Sequence, residues 1–317
     1  MTNQQDLQVI FGTGPLATAV MRELLRQGKP IRMVNTRGQA DVPASVEVVK
    51  GDAYSVESVT AVTAGAQVVY QCAQPPYHQW PEKFPAMQAA ILEGTARSGA
   101  KLVLAENLYM YGAVSGKIRE ELPYNAHTRK GKTRAQMAQS ALAAHQAGKV
   151  RVAIGRGSDF FGPGVLGSTL GERAIYPALA GKPAQMVGKL DLPHTYTFID
   201  DFGKALVVLG EREEALGRAW HVPNDRPEIT QREIMTLFFA EIGLPPKMKG
   251  MGKWMMSLGG LFVPEARETA EMMYEFERPF VVDSSQFEQT FGLKATPLED
   301  AVAQTVAWYR AHPEGHD

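Results

Sequence analysis

The sequence predicts an α/β fold, a doubly wound parallel sheet followed by a smaller, mostly helical C-terminal lobe. Three observations carry this reading. Short apolar strands alternate with helical stretches through the first half of the chain, the pattern of βαβ units and of a parallel sheet covered on both faces. A glycine turn joins the first strand to the first helix. The chain has 317 residues, 44% hydrophobic and 21% charged, which is ordinary for a globular protein and long enough for one large domain with an added lobe.

The elements follow in order. Residues 8–11 form a short apolar strand that ends in Gly12-Thr13-Gly14-Pro15-Leu16-Ala17, and Val20, Leu24 and Leu25 then supply one face of a helix. Further strands are predicted over 31–34, 46–49 and 66–70, with a helix over 55–63 between the last two. A long helix over 86–98 leads into the apolar strand 101–105 and on to Tyr109-Met110-Tyr111-Gly112.

The second half is less regular. A strand over 150–154 is followed by Gly162-Pro163-Gly164 and a mixed region to Gly188. Strand character returns over 195–199, and Asp200-Asp201 opens a helix. Thr230 is placed to cap a helix running to Gly243, because its hydroxyl can accept from an unpaired first-turn N–H. Pro245-Pro246 stops that helix, and an amphipathic helix covers 297–309. We therefore expect a domain over 1–160, with segments near 195–225 and 279–285 returning to it, and a discontinuous lobe drawn mainly from 161–317.

Charge and cysteine usage exclude several classes. Lys plus Arg number 33 against 34 Asp plus Glu, a formal net charge of −1, whereas displacing counterions from nucleic-acid phosphates needs a basic surplus. No apolar run reaches the about 18 residues of a membrane helix, and the N-terminus lacks a signal h-region. Cys72 is the only cysteine, so neither an intrachain disulfide nor a cysteine metal cage is available. His78, His127, His145, His221, His312 and His316 supply no close set of three metal ligands. The expectation is a cytoplasmic protein with no metal, no nucleic acid and no membrane partner.

The glycine turn has a mechanism. Gly12 takes a backbone angle closed to other residues, Gly14 lets the main chain approach a pyrophosphate, and small Ala17 lets helix and strand pack closely. The phosphates then sit on the N–H groups of the helix N-terminus; an ordinary tight turn is the alternative. At the end of the second strand, where an acidic residue usually holds an NAD ribose, this chain has Asn35-Thr36-Arg37. Arg37 suits a 2′-phosphate, and Asn35 and Thr36 can add hydrogen bonds, so NADP(H) is preferred over NAD(H). Asp52 and Ala53 after the third strand are placed for the adenine. The expected cofactor set is Gly12, Thr13, Gly14, Pro15, Leu16, Asn35, Thr36, Arg37, Asp52, Ala53 and Ala73.

In order and spacing, the series Gly12-x-Gly14-x-x-Ala17, Gly51-Asp52, Tyr109-Met110-Tyr111-Gly112, Arg156 to Phe161-Gly162-Pro163-Gly164, Thr197-Phe198-Ile199-Asp200-Asp201 and Val282-Asp283 resembles the NAD-dependent epimerase/dehydratase branch of the short-chain dehydrogenase/reductases. The resemblance spans nearly the whole chain. It implies a Rossmann domain with the cofactor across the strand C-termini and a smaller lobe for a substrate.

It also implies a catalytic Tyr four residues before a Lys, with a Ser or Thr on the preceding strand. On a helix that spacing shares a face, so the Lys binds the nicotinamide ribose and lowers the phenol's pKa. None of the ten tyrosines here has a Lys four residues later. Asn107 falls at the Ser position, and Lys130 and Arg134 fall at the Tyr and Lys positions, as in an atypical subgroup. Candidate roles follow: Asn107 orients a carbonyl, Tyr109, Tyr111 or Lys130 handles the proton, and Arg134 holds ribose hydroxyls. A solvated basic helix start remains the alternative for the cations, and packed aromatics for the tyrosines.

Sugar-nucleotide members of the family carry a phosphate-binding Arg where this chain has His194, so the resemblance favours a smaller or more apolar substrate. Trp254, Met255, Met256, Leu258, Leu261, Phe262, Met272, Met273, Tyr274 and Phe276 supply either a pocket wall or lid, or ordinary packing or a subunit interface, which leaves a homodimer open. The expectation is an NADP(H)-dependent oxidoreductase acting on a small carbonyl or alcohol. An NADP(H)-binding sensor without turnover, or an epimerase or lyase with tightly held cofactor, is the alternative.

Overall fold

The computed structural model describes residues 6–251 and 271–313. In chain order the first elements are β1 (Leu7–Phe11), α1 (Pro15–Arg26), β2 (Ile31–Asn35), β3 (Glu47–Lys50), α2 (Val56–Val62), β4 (Ala66–Gln71), α3 (Trp80–Ser98) and β5 (Lys101–Glu106). Next come β6 (Lys117–Ile118), α4 (Arg129–Gln146), β7 (Arg151–Arg156), β8 (Asp159–Phe161), α5 (Glu172–Leu179), β9 (Ala184–Val187) and β10 (Tyr196–Phe198). The chain continues with α6 (Ile199–Glu211), β11 (Ala219–His221), α7 (Gln231–Ile242), β12 (Met248–Met251), α8 (Tyr274–Glu277), β13 (Val281–Val282), α9 (Ser285–Phe291) and α10 (Leu298–Ala311).

These elements form two compact units. The first comprises Met1–Met110, Arg129–Gly157 and Phe202–Val222, and the second Tyr111–Thr128, Ser158–Asp201 and Pro223–Asp317. The first unit is built on a seven-stranded sheet of order β11-β7-β5-β4-β1-β2-β3, every neighbouring pair parallel. The chain winds outward from β1 to β3, then returns to begin β4 on the other side of β1. That reversal opens a crevice at the strands' carboxyl ends, the usual ligand position of such sheets. Val9, Ile10, Val69, Leu102 and Val152 are fully buried, as strands covered on both faces require. The expected Rossmann-type doubly wound sheet is present.

Local signals explain most element ends. Ser55 caps α2 by accepting the Ser58 N–H at 3.2 Å. Thr230 caps α7 in a reciprocal box, its Oγ1 accepting the Glu233 N–H at 3.1 Å while Glu233 Oε2 accepts the Thr230 N–H at 2.8 Å. One boundary differs from expectation. Helix α3 begins at Trp80, six residues early, because Pro81 suits a first turn and Trp80 and Phe84 are buried. Strand β5, expected over 101–105, ends at Glu106, and Tyr109–Tyr111 lie after it: Asn107 Oδ1 accepts the Tyr109 N–H at 3.3 Å and the chain enters a 3₁₀ turn there.

The second unit holds three two-stranded parallel pairs, β8 with β10, β9 with β12, and β6 with β13. Its core gathers Phe161, Leu170, Ile175, Phe198, Phe238 and Val306. Met272, Met273 and Phe276 are buried. Trp254, Met255, Met256, Leu258, Leu261 and Phe262, named above as wall or packing residues, lie outside the described residues, as does His316. Among the described residues, no helix is long and apolar enough to cross a membrane.

Candidate functional site

At the carboxyl ends of β1 and β2 the candidate site is made of main chain. Gly12 has φ +108°, and a Cβ added there would lie 3.1 Å from the Ala73 nitrogen, so glycine is required where the turn passes the end of β4. Gly14 precedes α1 in extended geometry. No side chain caps the helix, Pro15 occupies its first position, and no acidic residue stands in its first turn. A Cβ on Gly14 would meet nothing within 4 Å. Open N–H groups at a helix N-terminus, free of a side-chain cap and of negative charge, fit a pyrophosphate.

Asn35 organises the neighbouring turn. Its Oδ1 accepts the N–H groups of Arg37 (2.9 Å) and Gly38 (2.6 Å). Its Nδ2 donates to Thr13 Oγ1 (3.3 Å) and to the Gln39 carbonyl (2.9 Å). All the hydrogen-bonding capacity expected of Asn35 toward a phosphate is therefore spent inside the protein, and its contribution is to shape the loop. Thr36 and Arg37 are exposed.

Lys50, which sequence reasoning missed, is the register partner of Asn35, and a Cβ on Gly38 would come within 3.0 Å of the Lys50 Cβ. Arg37 and Lys50 form no ion pair with other described residues, so two cations flank the end of β2. Asp52 Oδ1 accepts the Tyr54 N–H at 2.9 Å, and the Asp52 N–H donates to Ser58 Oγ at 2.9 Å, which fixes the turn that carries Ala53.

The carboxyl ends of β5 and β7 carry side chains instead. Glu106 and Arg156 are register partners, and both side chains are fully buried. Glu106 Oε2 accepts from Arg156 Nε at 3.1 Å, while Oε1 lies 3.6 Å from the Arg134 guanidinium. Arg134 also donates to the Ala105 carbonyl at 3.3 Å and rests on the faces of Phe84 (4.8 Å) and Trp80 (5.6 Å). Burial lowers its pKa, against the opposing pull of Glu106.

Lys130 is fully buried, with Nζ 4.5 Å from the Tyr77 ring centre. Within the basic run only Arg129 and Lys132 have the exposure of a solvated helix start. Tyr109 is half-buried, and its oxygen accepts from the Tyr77 hydroxyl at 3.3 Å. Asn107 is half-buried beside it. Thus Asn107, Tyr109, Lys130 and Arg134 gather in the first unit together with Tyr77, Glu106 and Arg156.

Tyr111 belongs to the second unit. It is 1% exposed, its hydroxyl donates to the Glu120 carbonyl at 3.5 Å, and its ring meets Tyr124 edge-on at 5.8 Å. His194 is buried there too, with Nε2 2.7 Å from Asp159 Oδ2 and its ring stacked on Phe276 and Phe280. Burial, and then the charge of Asp159, push the nearby Glu275 carboxyl well above the usual carboxylate range. Among the described residues, no group of three or more His, Cys, Asp or Glu is placed to hold a metal ion.

Glu106 and Arg156 had one signal in the sequence, opposite charges just beyond two apolar strand runs. Tyr77 had none, because its neighbours come from distant segments.

Residues 9–222 match the model of the NAD dependent epimerase/dehydratase family. A search of curated proteins returns no match. Similar solved structures include MoeE5 in complex with UDP-glucose and NAD, at 19% identity and TM-score 0.74 over 96% of this chain and 99% of that one. The dTDP-glucose 4,6-dehydratase DesIV from Streptomyces venezuelae, with NAD and TYD bound, is 16% identical with TM-score 0.77 over 96% and 97%. The UDP-glucuronic acid 4-epimerase from Bacillus cereus, in complex with UDP-glucuronic acid and NAD, is 14% identical with TM-score 0.78 over 96% and 99%. At these identities the structures speak for the fold. The family match runs from within β1 through the glycine turn, the other strands of the large sheet and the cluster at the ends of β5 and β7, and the chain belongs to the NAD dependent epimerase/dehydratase family.

Proposed function

We propose that the chain is an NADP(H)-dependent oxidoreductase acting on a small carbonyl or alcohol. The observation that carries the cofactor reading is the pairing of an uncapped helix N-terminus with two cations at the ends of paired strands, Arg37 just past β2 and Lys50 at the end of β3. When bound, the dinucleotide supplies hydride chemistry. The loop Gly12 to Leu16 holds the pyrophosphate on main-chain N–H groups, with Ala73 as its floor. Thr36, Arg37 and Lys50 face the 2′-phosphate, and Asp52 and Ala53 the adenine.

At the other end of the sheet, Tyr109 transfers the proton. Asn107, whose Oδ1 is engaged with the Tyr109 N–H, retains its amide N–H₂ to orient the substrate oxygen. Lys130 and Arg134 supply the positive charge that a helix-borne Lys supplies elsewhere in the family. Arg134 is 2% exposed and bound to Glu106 and Ala105, which favours an electrostatic role over a reach to ribose hydroxyls. Tyr111, packed against Tyr124, is the weaker proton donor of the two.

The test is to titrate NADPH and NADH against the native protein and the Arg37→Ala variant. The native protein should prefer NADPH, and loss of one charge-assisted contact should weaken NADPH about tenfold with NADH unmoved. An unchanged preference overturns the reading. A second reading, nucleotide-sugar epimerisation or dehydration, is favoured by the UDP-sugar ligands of two similar structures and by the name dTDP-glucose 4,6-dehydratase of the third. It predicts conversion of a UDP- or dTDP-hexose with no net consumption of added dinucleotide.

A further inference from the structure

A phenol that exchanges its proton near neutral pH needs a donor or a cation to stabilise the charge left on its oxygen. No tyrosine of this chain has a lysine one helical turn later. Equivalent parts nevertheless meet in space. Tyr77, in the 3₁₀ turn Tyr77–Gln79 after β4, donates its hydroxyl to the Tyr109 oxygen at 3.3 Å. From α4, the Lys130 ammonium sits over the Tyr77 ring at 4.5 Å from its centre. One turn further along α4 stands Arg134, close enough to the Tyr109 phenol for their charges to interact. Trp80 meets Tyr77 edge-on at 4.9 Å and lies 6.1 Å from Tyr109, so one indole steadies both rings. A cation on the face of a phenol draws electron density from the ring and strengthens its O–H as a donor.

We propose that Tyr77 is a positioning residue for proton transfer: its hydroxyl, polarised by Lys130, donates to Tyr109 and stabilises the phenolate that Tyr109 becomes. The inference rests on the reading of Tyr109 as the proton donor. In the reductive direction the substrate carbon gains hydride from the reduced dinucleotide and the carbonyl π bond breaks. The Tyr109 O–H bond also breaks, an O–H bond forms on the substrate, and the Tyr109 oxygen keeps the electron pair within the Tyr77 hydrogen bond. Among the described residues, the charged groups nearest the pair include Lys130 and Arg134 from α4 and Glu106 at the end of β5, whose carboxylate is turned toward Arg134 and Arg156.

The experiment uses the full chain labelled with ζ-¹³C tyrosine, the Tyr109 signal being assigned by its loss in Tyr109→Phe. In Tyr77→Phe, which keeps the ring beneath Lys130 and removes only the hydroxyl, the midpoint of the Tyr109 titration should rise by about one unit. Turnover should fall about tenfold in kcat with KM unmoved, and the alkaline side of the pH profile should move with the signal. NADPH affinity should be unchanged. An unmoved Tyr109 midpoint overturns the proposal even if turnover falls, because packing loss alone would lower the rate without shifting a titration. Failure of the native protein to bind NADPH would instead overturn the functional reading, while the titration, made without cofactor, still decides whether Tyr77 tunes Tyr109.

Discussion

At the β1–β2 end of the sheet the candidate site is shaped chiefly by the main chain, whereas at the β5–β7 end it is built from side chains drawn from the turn after β4, the end of β5, the first turns of α4 and the end of β7. The first arrangement depends on what is missing: a Cβ at Gly12, a cap on α1, an acid in its first turn. The second depends on what is present, above all a buried carboxylate between two guanidiniums. One end is held by backbone conformation and tolerates exposure. The other is held by charge compensation in a dry interior, where an unmatched ion is costly.

Glu106→Ala probes that difference most strongly. It leaves Arg134 and Arg156 facing each other without the carboxylate, and the expected loss is about 3–5 kcal/mol in urea unfolding. Glu106→Gln keeps the shape and isolates the charge; if neither variant loses more than about 1 kcal/mol, the side-chain end is no more dependent on charge than any surface ion pair. Gly12→Ala is the matching test at the main-chain end. Its positive φ and the approach to Ala73 should cost roughly 1–3 kcal/mol, with dinucleotide affinity falling by more than the same strain placed elsewhere. Intact NADPH affinity in that variant would remove the glycine turn from the binding site. Asn35→Ala should have the smallest effect, about 1–2 kcal/mol for a partly exposed hub that ties Thr13 to the Arg37–Gly38 turn. Thermal unfolding and an NADPH titration would separate its shaping role from any direct contact.

The two ends also differ in how much of each is legible in the order of residues alone. The strand, glycine turn and helix from residue 8 onward are legible because the apolar run, the glycines and the helical spacing are consecutive and follow from backbone geometry, although the close approach of Gly12 to Ala73 is not. The cap of α7 at Thr230 and its end before Gly243 are legible for the same reason. Asn35 is expected to touch a phosphate, yet its side chain turns inward, since the two nearest unpaired N–H groups belong to its own loop. Lys50 gives no signal of its own because its relevance depends on strand pairing. The turn that follows the end of β5 at Glu106 is decided by one hydrogen bond, the Tyr109 N–H donating to Asn107 Oδ1.

Spacing and residue type are enough to establish the alternation of strands and helices, the glycine turn, the absence of a Tyr-x-x-x-Lys pair and the cationic run from Arg129 to Arg134. These are local facts. It takes the packed molecule to bury Lys130 and Arg134, to compensate the charge there with Glu106 and Arg156, and to stand Tyr77 against Tyr109. Register across a parallel sheet and packing of α4 on the segment Tyr77 to Phe84 join residues fifty or more positions apart in this cluster, and no periodicity along the chain encodes which of them meet.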